Sequence, residues 1–401
     1  MLRGFRYRFY PTTEQEQLLR RTIGCTRLVY NKALAERSAA WVTGKKSLGY
    51  VAQSAALTQW KKQPDLVFLN EVSSVPLQQS LRHAQTAYSN FFAKRTAYPS
   101  FKRKGNGGSA EFTRSAFRYA DGNLILAKMD TPLDIHWSRQ LPLNAEPSTV
   151  TVSLDAAWRW HVSLLCEDKI DRLPKLQTAV GLDVGIASLV TLSTGEKIAN
   201  PRHDERDLAR KRTLSRRLAR KKKGSKNKDK AKLKLARLHA HVADRRRDHW
   251  HKLTTRLVRE NQVIVVEDLS IRNMVKNHCL ARVISDAGWS EGFRQLEYKS
   301  SWYGRDFVKV DRFFPSSKTC HLCGCVVEHL PLDVRRWPCL DCGAEHDRDE
   351  NAAKNVLAAG LAVARERDAC GSNVSQRILR GAVQFETKQE TSAAKPGIPF
   401  L

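Results

Sequence analysis

Two carboxylates stand where this chain could bind a metal ion. Asp183 and Glu267 each close a short apolar run, in GLDVG and in VIVVED. Because neighbouring strand ends line one edge of an α/β sheet, such positions are where sites form. A buried bare carboxylate is costly unless a cation pairs with it. We therefore expect both acids to hold a divalent cation. The alternative is that each one only caps a loop.

A third ligand is expected from HDRDENAAKNVLAAG, residues 346–360, a helical pattern with acids in its first turn. Asp347 and Asp349 are the candidates, and helical phase separates them. Asp349 shares a face with an apolar stripe, formed by Ala352, Ala353 and Val356. Asp347 lies over a polar face, formed by Glu350, Asn351 and Lys354. The pattern favours Asp349 as the inward acid, with Asp347 and Asp268 exposed or supporting the ligands.

The chemistry that follows is metal-assisted cleavage of a phosphodiester. Carboxylate oxygens suit Mg²⁺ or Mn²⁺, and two ions ~3.5–4 Å apart could activate water and stabilise the leaving oxygen. The composition favours a polyanionic partner, since 69 lysines and arginines against 41 acids give a net charge of +28 and a pI near 10. A merely basic, soluble surface is the less favoured explanation.

A second metal site is indicated by two matched cysteine pairs. CHLCG at 320–324 and CLDCG at 339–343 have the C-x2-C spacing of four-cysteine zinc sites, so Cys320, Cys323, Cys339 and Cys342 are predicted Zn²⁺ ligands. The module has few apolar residues, and its folding should therefore depend on zinc. Cys325 is a spare thiol that could compete for the metal but lacks a paired partner. The remaining cysteines are predicted to be structural or incidental: Cys25, Cys166, Cys279 and Cys370.

The positive charge is concentrated between residues 201 and 260, where 23 lysines and arginines stand against seven acids. The segment reads as two helices with residues 221–230 at the hairpin tip, and nucleic-acid contact is favoured over a solvated face. The predicted contacts are Arg216, Arg217, Arg220, Lys221, Lys222, Lys223, Lys226 and Lys228. Trp158 and Trp160 could stack on bases, but core packing is the favoured role for both.

The elements that must position these residues follow from periodicity. Residues 1–10 predict a strand with Phe5, Tyr7 and Phe9 on one face, and a capping box of Thr13 and Glu16 predicts the helix that follows. Helical patterns continue to about Phe92. A flexible basic loop, FKRKGNGG, then precedes four strand-like runs: NLILAKM, PLDIHW, STVTVSL and WRWHVSLL. AVGLDVGIASLVTL predicts strand, turn and strand, and NQVIVVEDLS a further buried strand.

No run approaches the ~18 apolar residues of a membrane span, and no signal-peptide core stands at the N-terminus. We therefore expect a cytoplasmic protein without a membrane partner. The residues after about Arg365 are predicted to form a disordered tail.

Taken in order, these motifs resemble one family. GLDVG, the basic hairpin, VVED, PSSKTC with its two cysteine pairs and DRDENAAKN occur in the order of TnpB, the transposon-encoded RNA-guided nuclease related to type V CRISPR effectors. YRFYPT, GCTRLVYN, SLRHAQTAYSNFF and YPSFK extend the resemblance over most of the chain.

The resemblance implies a multidomain α/β and β fold. It implies a wedge-like β-barrel domain at 1–12 and 95–178, with a helical, helix-turn-helix-like recognition lobe at 13–94. It also implies a RuvC-like nuclease domain with an RNase H-like fold at 179–316 and 347–364, a zinc ribbon at 317–346 and a tail at 365–401. The catalytic acids of that domain fall on Asp183, Glu267 and Asp349, and the ribbon is implied to sit beside them.

By the same resemblance, the protein binds a guide RNA transcribed from its own element and cuts double-stranded DNA beside a short adjacent motif, using Mg²⁺. Base pairing would then supply the sequence specificity, and a prokaryotic, monomeric protein is expected. Two alternatives stay open. One is a transposase that joins DNA ends, and the other is a regulator that binds nucleic acid without cutting it.

Overall fold

The computed structural model describes residues 1–105, 107–142, 145–331 and 333–369. It is a mixed α/β structure with several sheets. The strands are β1 (Leu2–Tyr10), β2 (Gly108–Thr113), β3 (Phe117–Ala120), β4 (Asn123–Leu126), β5 (Asp134–His136), β6 (Thr149–Leu154), β7 (Trp160–Glu167), β8 (Ala179–Asp183), β9 (Ser188–Leu192), β10 (Lys197–Ala199), β11 (Val263–Glu267), β12 (Asp306–Val310), β13 (Arg336–Pro338) and β14 (Glu345–Asp347).

The α-helices are α1 (Thr13–Gly44), α2 (Tyr50–Trp60), α3 (Ser74–Phe92), α4 (His203–Arg206), α5 (Leu208–Ala219), α6 (Lys226–Glu260), α7 (Ile271–Met274), α8 (Ala281–Ala287), α9 (Trp289–Tyr303) and α10 (Arg348–Ala369). Two 3-10 helices lie at Val67–Glu71 and Arg114–Ala116. No helix in the described ranges is long and apolar enough to cross a membrane.

Contacts divide the chain into two compact units. Among the described residues, the first contains 1–175, 201–259 and 271–305, and the second contains 176–200, 260–270 and 306–369. The basic segment therefore groups with the N-terminal region, except for its last residue. The functional domain names implied by the resemblance remain predictions.

The first unit is built on an antiparallel sheet of order β2-β6-β7-β1-β5. Phe5, Tyr7 and Phe9 are all buried on one face of β1, which confirms the predicted strand and its inward face. The four strand-like runs after the basic loop also fall on strands, in β4, β5, β6 and β7. β2 and β3 were not predicted.

The cap of α1 differs by one residue from the prediction. Thr12, not Thr13, is the N-cap, and its partner is Gln15 rather than Glu16. The Thr12 hydroxyl accepts from the Gln15 amide at 3.3 Å, and the Gln15 side chain accepts from the Thr12 amide at 3.1 Å. Gln15 is buried, and its side-chain nitrogen also donates to the carbonyl of Pro132 at 3.1 Å. Because this contact holds Gln15 in the interior, the capping box forms between Thr12 and Gln15.

The predicted basic hairpin is present as α5 and α6. Its turn covers residues 220–225, with Gly224 at φ +82°, whereas residues 226–230 already belong to α6. The far end of α6 is buried: the Trp250 indole donates to the Ala287 carbonyl at 2.8 Å. A Cβ on Gly292 would meet the Trp250 ring at 2.5 Å, so α9 packs closely on α6.

The second unit is a mixed sheet of order β10-β9-β8-β11-β12 with α10 packed against it. β8 is antiparallel to β9 and parallel to β11, and β11 is parallel to β12. The strand, turn and strand predicted over 179–192 is therefore confirmed, as is the buried strand at β11. The edge strands β10 and β12 were not predicted.

The last helix begins later and ends later than the sequence suggested. His346 and Asp347 belong to β14, which pairs with β13, and α10 starts at Arg348. Residues 365–369 are helical rather than part of a tail. The remainder of the predicted tail, 370–401 with Cys370, lies outside the described residues.

Candidate active site

Asp183 and Glu267 are the last residues of two neighbouring parallel strands. Leu182 of β8 pairs with Val266 of β11, so the acids that follow leave the sheet side by side. Both are half-buried, and the strands that carry them are buried at Leu182 in β8 and Val266 in β11. The apolar runs form the core strands, and their acidic ends come to one sheet edge.

Asp349 is brought to this edge by a very close helix. A Cβ on Gly181 would lie 2.3 Å from the carbonyl oxygen of Ala353 in α10, and a Cβ on Gly360 would lie 2.2 Å from Val265 Cγ1. Glycine at both positions lets α10 rest directly on β8 and β11. Asp349 lies in the first turn of that helix, and its side chain is 21% exposed.

Asp183 lies within electrostatic reach of both other acids. The pKa of Asp183 is raised well above its ordinary value, first by burial and then by the negative charges of Glu267 and Asp349, with Arg348 opposing the shift. Burial also raises the pKa of Glu267, and a hydrogen bond from the Ser316 hydroxyl opposes that shift. Repulsion of this kind is relieved when a cation enters the cluster.

The two rejected acids each form a short ion pair. Asp268 pairs with Arg312 at 2.5 Å. Asp347 pairs with Lys197 at 2.7 Å and accepts from the Glu350 amide at 3.2 Å. Burial alone would raise the pKa of Asp347, but these bonds outweigh it and lower the pKa. Asp347 thus caps α10.

One part of the helical-phase prediction is wrong. Asn351 was assigned to a polar outer face but is only 1% exposed. Its side chain contacts the turn before the first cysteine pair, donating to the Thr319 carbonyl at 2.7 Å. A polar residue type gave no warning of this because its hydrogen bonds are made with a segment distant in sequence.

The four predicted zinc ligands converge. The sulfurs of Cys320, Cys323, Cys339 and Cys342 all lie within 4.8 Å of one another. Cys320 and Cys342 are 3.7 Å apart and Cys323 and Cys339 are 3.6 Å apart. Zinc–sulfur bonds of about 2.3 Å in a tetrahedron place sulfurs about 3.8 Å apart, so the cluster fits Zn²⁺.

Each cysteine pair is held in a tight backbone turn. The Gly324 amide donates to the Cys320 carbonyl and the Gly343 amide to the Cys339 carbonyl, both at 2.9 Å. Gly324 and Gly343 have φ of +79° and +70°, which favours glycine there. The pKa of Cys339 falls to about 7, chiefly because the Cys342 amide donates to its sulfur.

A histidine beside the cysteines escaped the sequence analysis. His346 is buried, with Nε2 3.1 Å from Cys320 Sγ and its ring 4.8 Å from that of Trp337. A ring nitrogen donating to a metal-bound thiolate is an ordinary supporting contact in metal sites. The only available signal was its position three residues after Gly343, which is too general to interpret.

The predicted nucleic-acid residues lie at the α5–α6 tip. Seven of the eight are exposed, and Lys228 is half-buried. Core packing is confirmed for Trp160, which is 5% exposed, and is wrong for Trp158, which is 54% exposed in a turn with φ +58°. Cys25 and Cys166 are buried, Cys325 is half-buried and Cys279 is exposed.

Comparison with known proteins places this arrangement in a family. Three family models match: a helix-turn-helix domain at residues 1–46, a "Probable transposase" at 161–278 and a Cas12f1-like TNB domain at 289–356. A "Putative RNA-guided DNA endonuclease" of Streptomyces pristinaespiralis is 59% identical over 401 residues, covering 100% of this chain and 98% of that protein. The chain belongs to the TnpB family.

Another relative of this TnpB-family chain is InsQ of Escherichia coli strain K12, given the same description. It is 34% identical, covering 93% of this chain and 95% of InsQ. Among solved structures, the Cas12f1 chain of a complex with sgRNA and target DNA matches with a TM-score of 0.55 at 14% identity. That match covers 89% of this chain and 98% of the Cas12f1 chain. At that identity the match shows a shared fold alone.

Proposed function

We propose that this chain is an RNA-guided, Mg²⁺-dependent endonuclease that cuts double-stranded DNA beside a short adjacent motif. Its guide RNA would come from the transposon that encodes it. The observation that carries the proposal is that Asp183 and Glu267 end adjacent parallel strands at one sheet edge, where the charges of Glu267 and Asp349 both act on Asp183. The relatives named as RNA-guided DNA endonucleases support the choice of substrate and guide.

The RuvC-like, RNase H-like assignment is part of this proposal. A five-stranded mixed sheet, with two acids at adjacent strand ends and a third on a packed helix, supports it. The three carboxylates would hold the divalent ions, which supply an activated water and stabilise the leaving oxygen. Asp183, Glu267 and Asp349 would act from fixed positions, because buried strands and a close helix hold their backbones.

The zinc ribbon and the basic tip complete the proposed machinery. Cys320, Cys323, Cys339 and Cys342 would hold Zn²⁺ and thereby fold the ribbon. The exposed cations at the α5–α6 tip would neutralise nucleic-acid phosphates without reading sequence. Target choice would then come from base pairing to the guide RNA, and the protein would act as a monomer in the prokaryotic cytoplasm.

The decisive experiment compares two acids that lie two residues apart. The full chain is purified with its co-purifying RNA and given Mg²⁺ and a duplex matching that RNA. Asp349→Asn should abolish cleavage, whereas Asp347→Asn should leave most of it, since Asp347 is engaged by Lys197 and the helix cap. Cleavage should also stop in EDTA. Equal activity of the two variants would remove the site assignment.

The "Probable transposase" description of one matching model favours a second candidate, a protein that joins DNA ends. Incubating transposon ends with a target plasmid separates the two functions. Joined products that require Asp183 would favour the transposase, and linear cut products that require the matching RNA favour the nuclease. Binding with no cut or joined product under any condition would favour the regulator.

A further inference from the structure

Three buried polar side chains connect the cysteine cluster to the acid cluster. Ser316, Asn351 and Asn355 are 6%, 1% and 5% exposed. None of them is a proposed ligand of either metal. Burial of a polar side chain is tolerated when its hydrogen bonds are made. Here the partners include Glu267 of the acid cluster and Thr319 and His321, which flank Cys320.

The turn at Pro315–Thr319 is the shared element. The amides of Lys318 and Thr319 both donate to the Pro315 carbonyl at 3.0 Å, and Cys320 follows directly. The Asn355 side-chain nitrogen donates to the carbonyls of Ser316 at 2.8 Å and Thr319 at 2.6 Å. Helix α10 thus holds the turn that precedes the first zinc ligand.

Asn351 holds both flanks of Cys320. Its nitrogen donates to the Thr319 carbonyl at 2.7 Å, and its oxygen accepts from the His321 amide at 3.1 Å. The same oxygen lies 3.0 Å from His321 Nδ1. Asn351 stands two residues after Asp349, so the helical turn that carries this acid is hydrogen-bonded to the residues on either side of Cys320.

Ser316 closes the connection on the sheet side. Its hydroxyl donates to Oε1 of Glu267, while its carbonyl is held by Asn355. A hydrogen bond to one carboxylate oxygen restricts how the carboxylate can rotate. Glu267 and Asp349 come from elements far apart in sequence, yet both are tied to the same short turn.

We propose that Ser316, Asn351 and Asn355 are positioning residues. They fix Glu267 and Asp349 relative to each other by anchoring both to the turn at Pro315–Thr319, which leads into Cys320. The inference rests on the proposed function, since it concerns the acids assigned there. Loss of a supporting hydrogen bond around a metal ligand typically weakens metal affinity 10–100-fold. These bonds should therefore matter for divalent-ion binding beyond their contribution to folding.

The test measures Mn²⁺ binding to the zinc-loaded full chain by the electron paramagnetic resonance of free Mn²⁺. Ser316→Ala is compared with Ser317→Ala, which removes the same atom one residue along the chain. We expect about 10-fold weaker Mn²⁺ binding in Ser316→Ala, with unchanged zinc content, and near wild-type binding in Ser317→Ala. Equal Mn²⁺ affinity in the two variants would overturn the proposal.

Asn355→Ala supplies a second, independent check. It should also weaken Mn²⁺ binding, and the double variant with Ser316→Ala should lose less than the two single effects combined, because both act on one connection. Fully additive losses would count against the connection. If Asn355→Ala fails to fold, the Ser316 and Ser317 pair decides the matter.

Failure of the proposed function would give a different Mn²⁺-binding result from failure of the positioning role. Wild-type protein that binds Mn²⁺ no better than Asp183→Asn would overturn the acid site and this proposal together. If Asp183→Asn loses Mn²⁺ binding and Ser316→Ala binds Mn²⁺ as well as wild type does, the positioning role alone is overturned.

Discussion

The cysteine cluster and the acid cluster belong to the same unit of the molecule but are built in opposite ways. The four cysteines come from one short segment, held by two glycine turns. The three acids come from β8, β11 and α10, and the sheet brings them together. The first site can be recognised from local spacing, whereas the second requires strand order and helix packing.

The two sites also differ in what supports them. The buried apolar cluster of the cysteine module is small, with Leu330 and Trp337 beside Cys320 and Cys339. The acids stand at the edge of a sheet whose inner strands are buried, and Val265 and Val266 of β11 have no exposed surface. We therefore expect the ribbon to need its ion in order to fold. The acid cluster should be preformed, with its charges in conflict until a cation binds.

The largest expected effect is loss of a zinc ligand. Cys339→Ser should release Zn²⁺ and unfold the ribbon, because structural zinc contributes on the order of 10 kcal/mol of apparent binding free energy in small modules. Zinc content by mass spectrometry and protease sensitivity at 317–346 measure it. Cys325→Ser is the matched control and should retain one zinc. A Cys339→Ser protein that keeps zinc and an intact ribbon would contradict the comparison.

Substitution of one of the three acids should have the opposite effect: cleavage should be lost while the fold and the zinc content are kept. Asp183→Asn should reduce Mg²⁺-dependent cleavage by about 1,000-fold or more, since a metal ion contributes several kcal/mol to such a reaction. The fold and the zinc content should stay intact, because the sheet core supplies the structure. Cleavage of an end-labelled, guide-matched duplex is the measurement, with Asp268→Asn as the control. Residual cutting at the wild-type rate would be incompatible with this role for Asp183.

The same contrast explains what the sequence could predict. Alternating aromatics predicted β1, and apolar runs predicted β8 and β11, because those strands bury whole faces. The short edge strands β10 and β12 were not predicted, since strands of three to five residues leave little periodicity to recognise. The capping box was placed one residue late because the burial of Gln15 depends on Pro132, a contact distant in sequence.

In the candidate site, types and spacing led to the acids and the cysteines but not to their supports. Ser316, Asn351 and His346 are ordinary polar residues in sequence, and the contacts that accompany their burial are made with residues distant in sequence. Asn351 shows the reason most clearly. Its residue type predicts solvent, and only the turn at Pro315–Thr319 gives it a reason to be buried.

The close packing that builds the acid cluster gives a smaller, measurable prediction. Gly181→Ala would place a Cβ 2.3 Å from the Ala353 carbonyl and 2.7 Å from the Leu357 amide, both backbone atoms that cannot rotate away. We expect a loss of about 1–3 kcal/mol in the free energy of unfolding, with weaker Mn²⁺ binding because Asp349 moves with α10. Chemical denaturation and Mn²⁺ titration measure the two effects.

The control is a glycine with free space around it. Gly24 lies inside α1, and a Cβ there would meet nothing within 4 Å. Gly24→Ala should therefore stabilise the chain by about 0.5–1 kcal/mol through helix propensity. If Gly181→Ala is as stable as Gly24→Ala, the close approach of α10 is not what places Asp349.

The smallest expected effect is on stability and comes from the electrostatic repulsion of Asp183 by Glu267 and Asp349. The folded-state pKa of Asp183 is raised by burial and by Glu267 and Asp349. Its contribution to stability is therefore complete below the unfolded pKa near 4 and is lost as pH rises through the folded pKa. In EDTA, Asp183→Asn should be more stable than wild type at pH 7 by on the order of 1 kcal/mol, and equal to it near pH 4. Adding Mg²⁺ at pH 7 should raise the melting temperature of wild type and not of the variant, because the cation relieves a repulsion that the amide has already removed. A variant that is less stable than wild type in EDTA at pH 7 would show that Asp183 stabilises the fold, and would place it with the structural cysteines rather than with a preformed metal site.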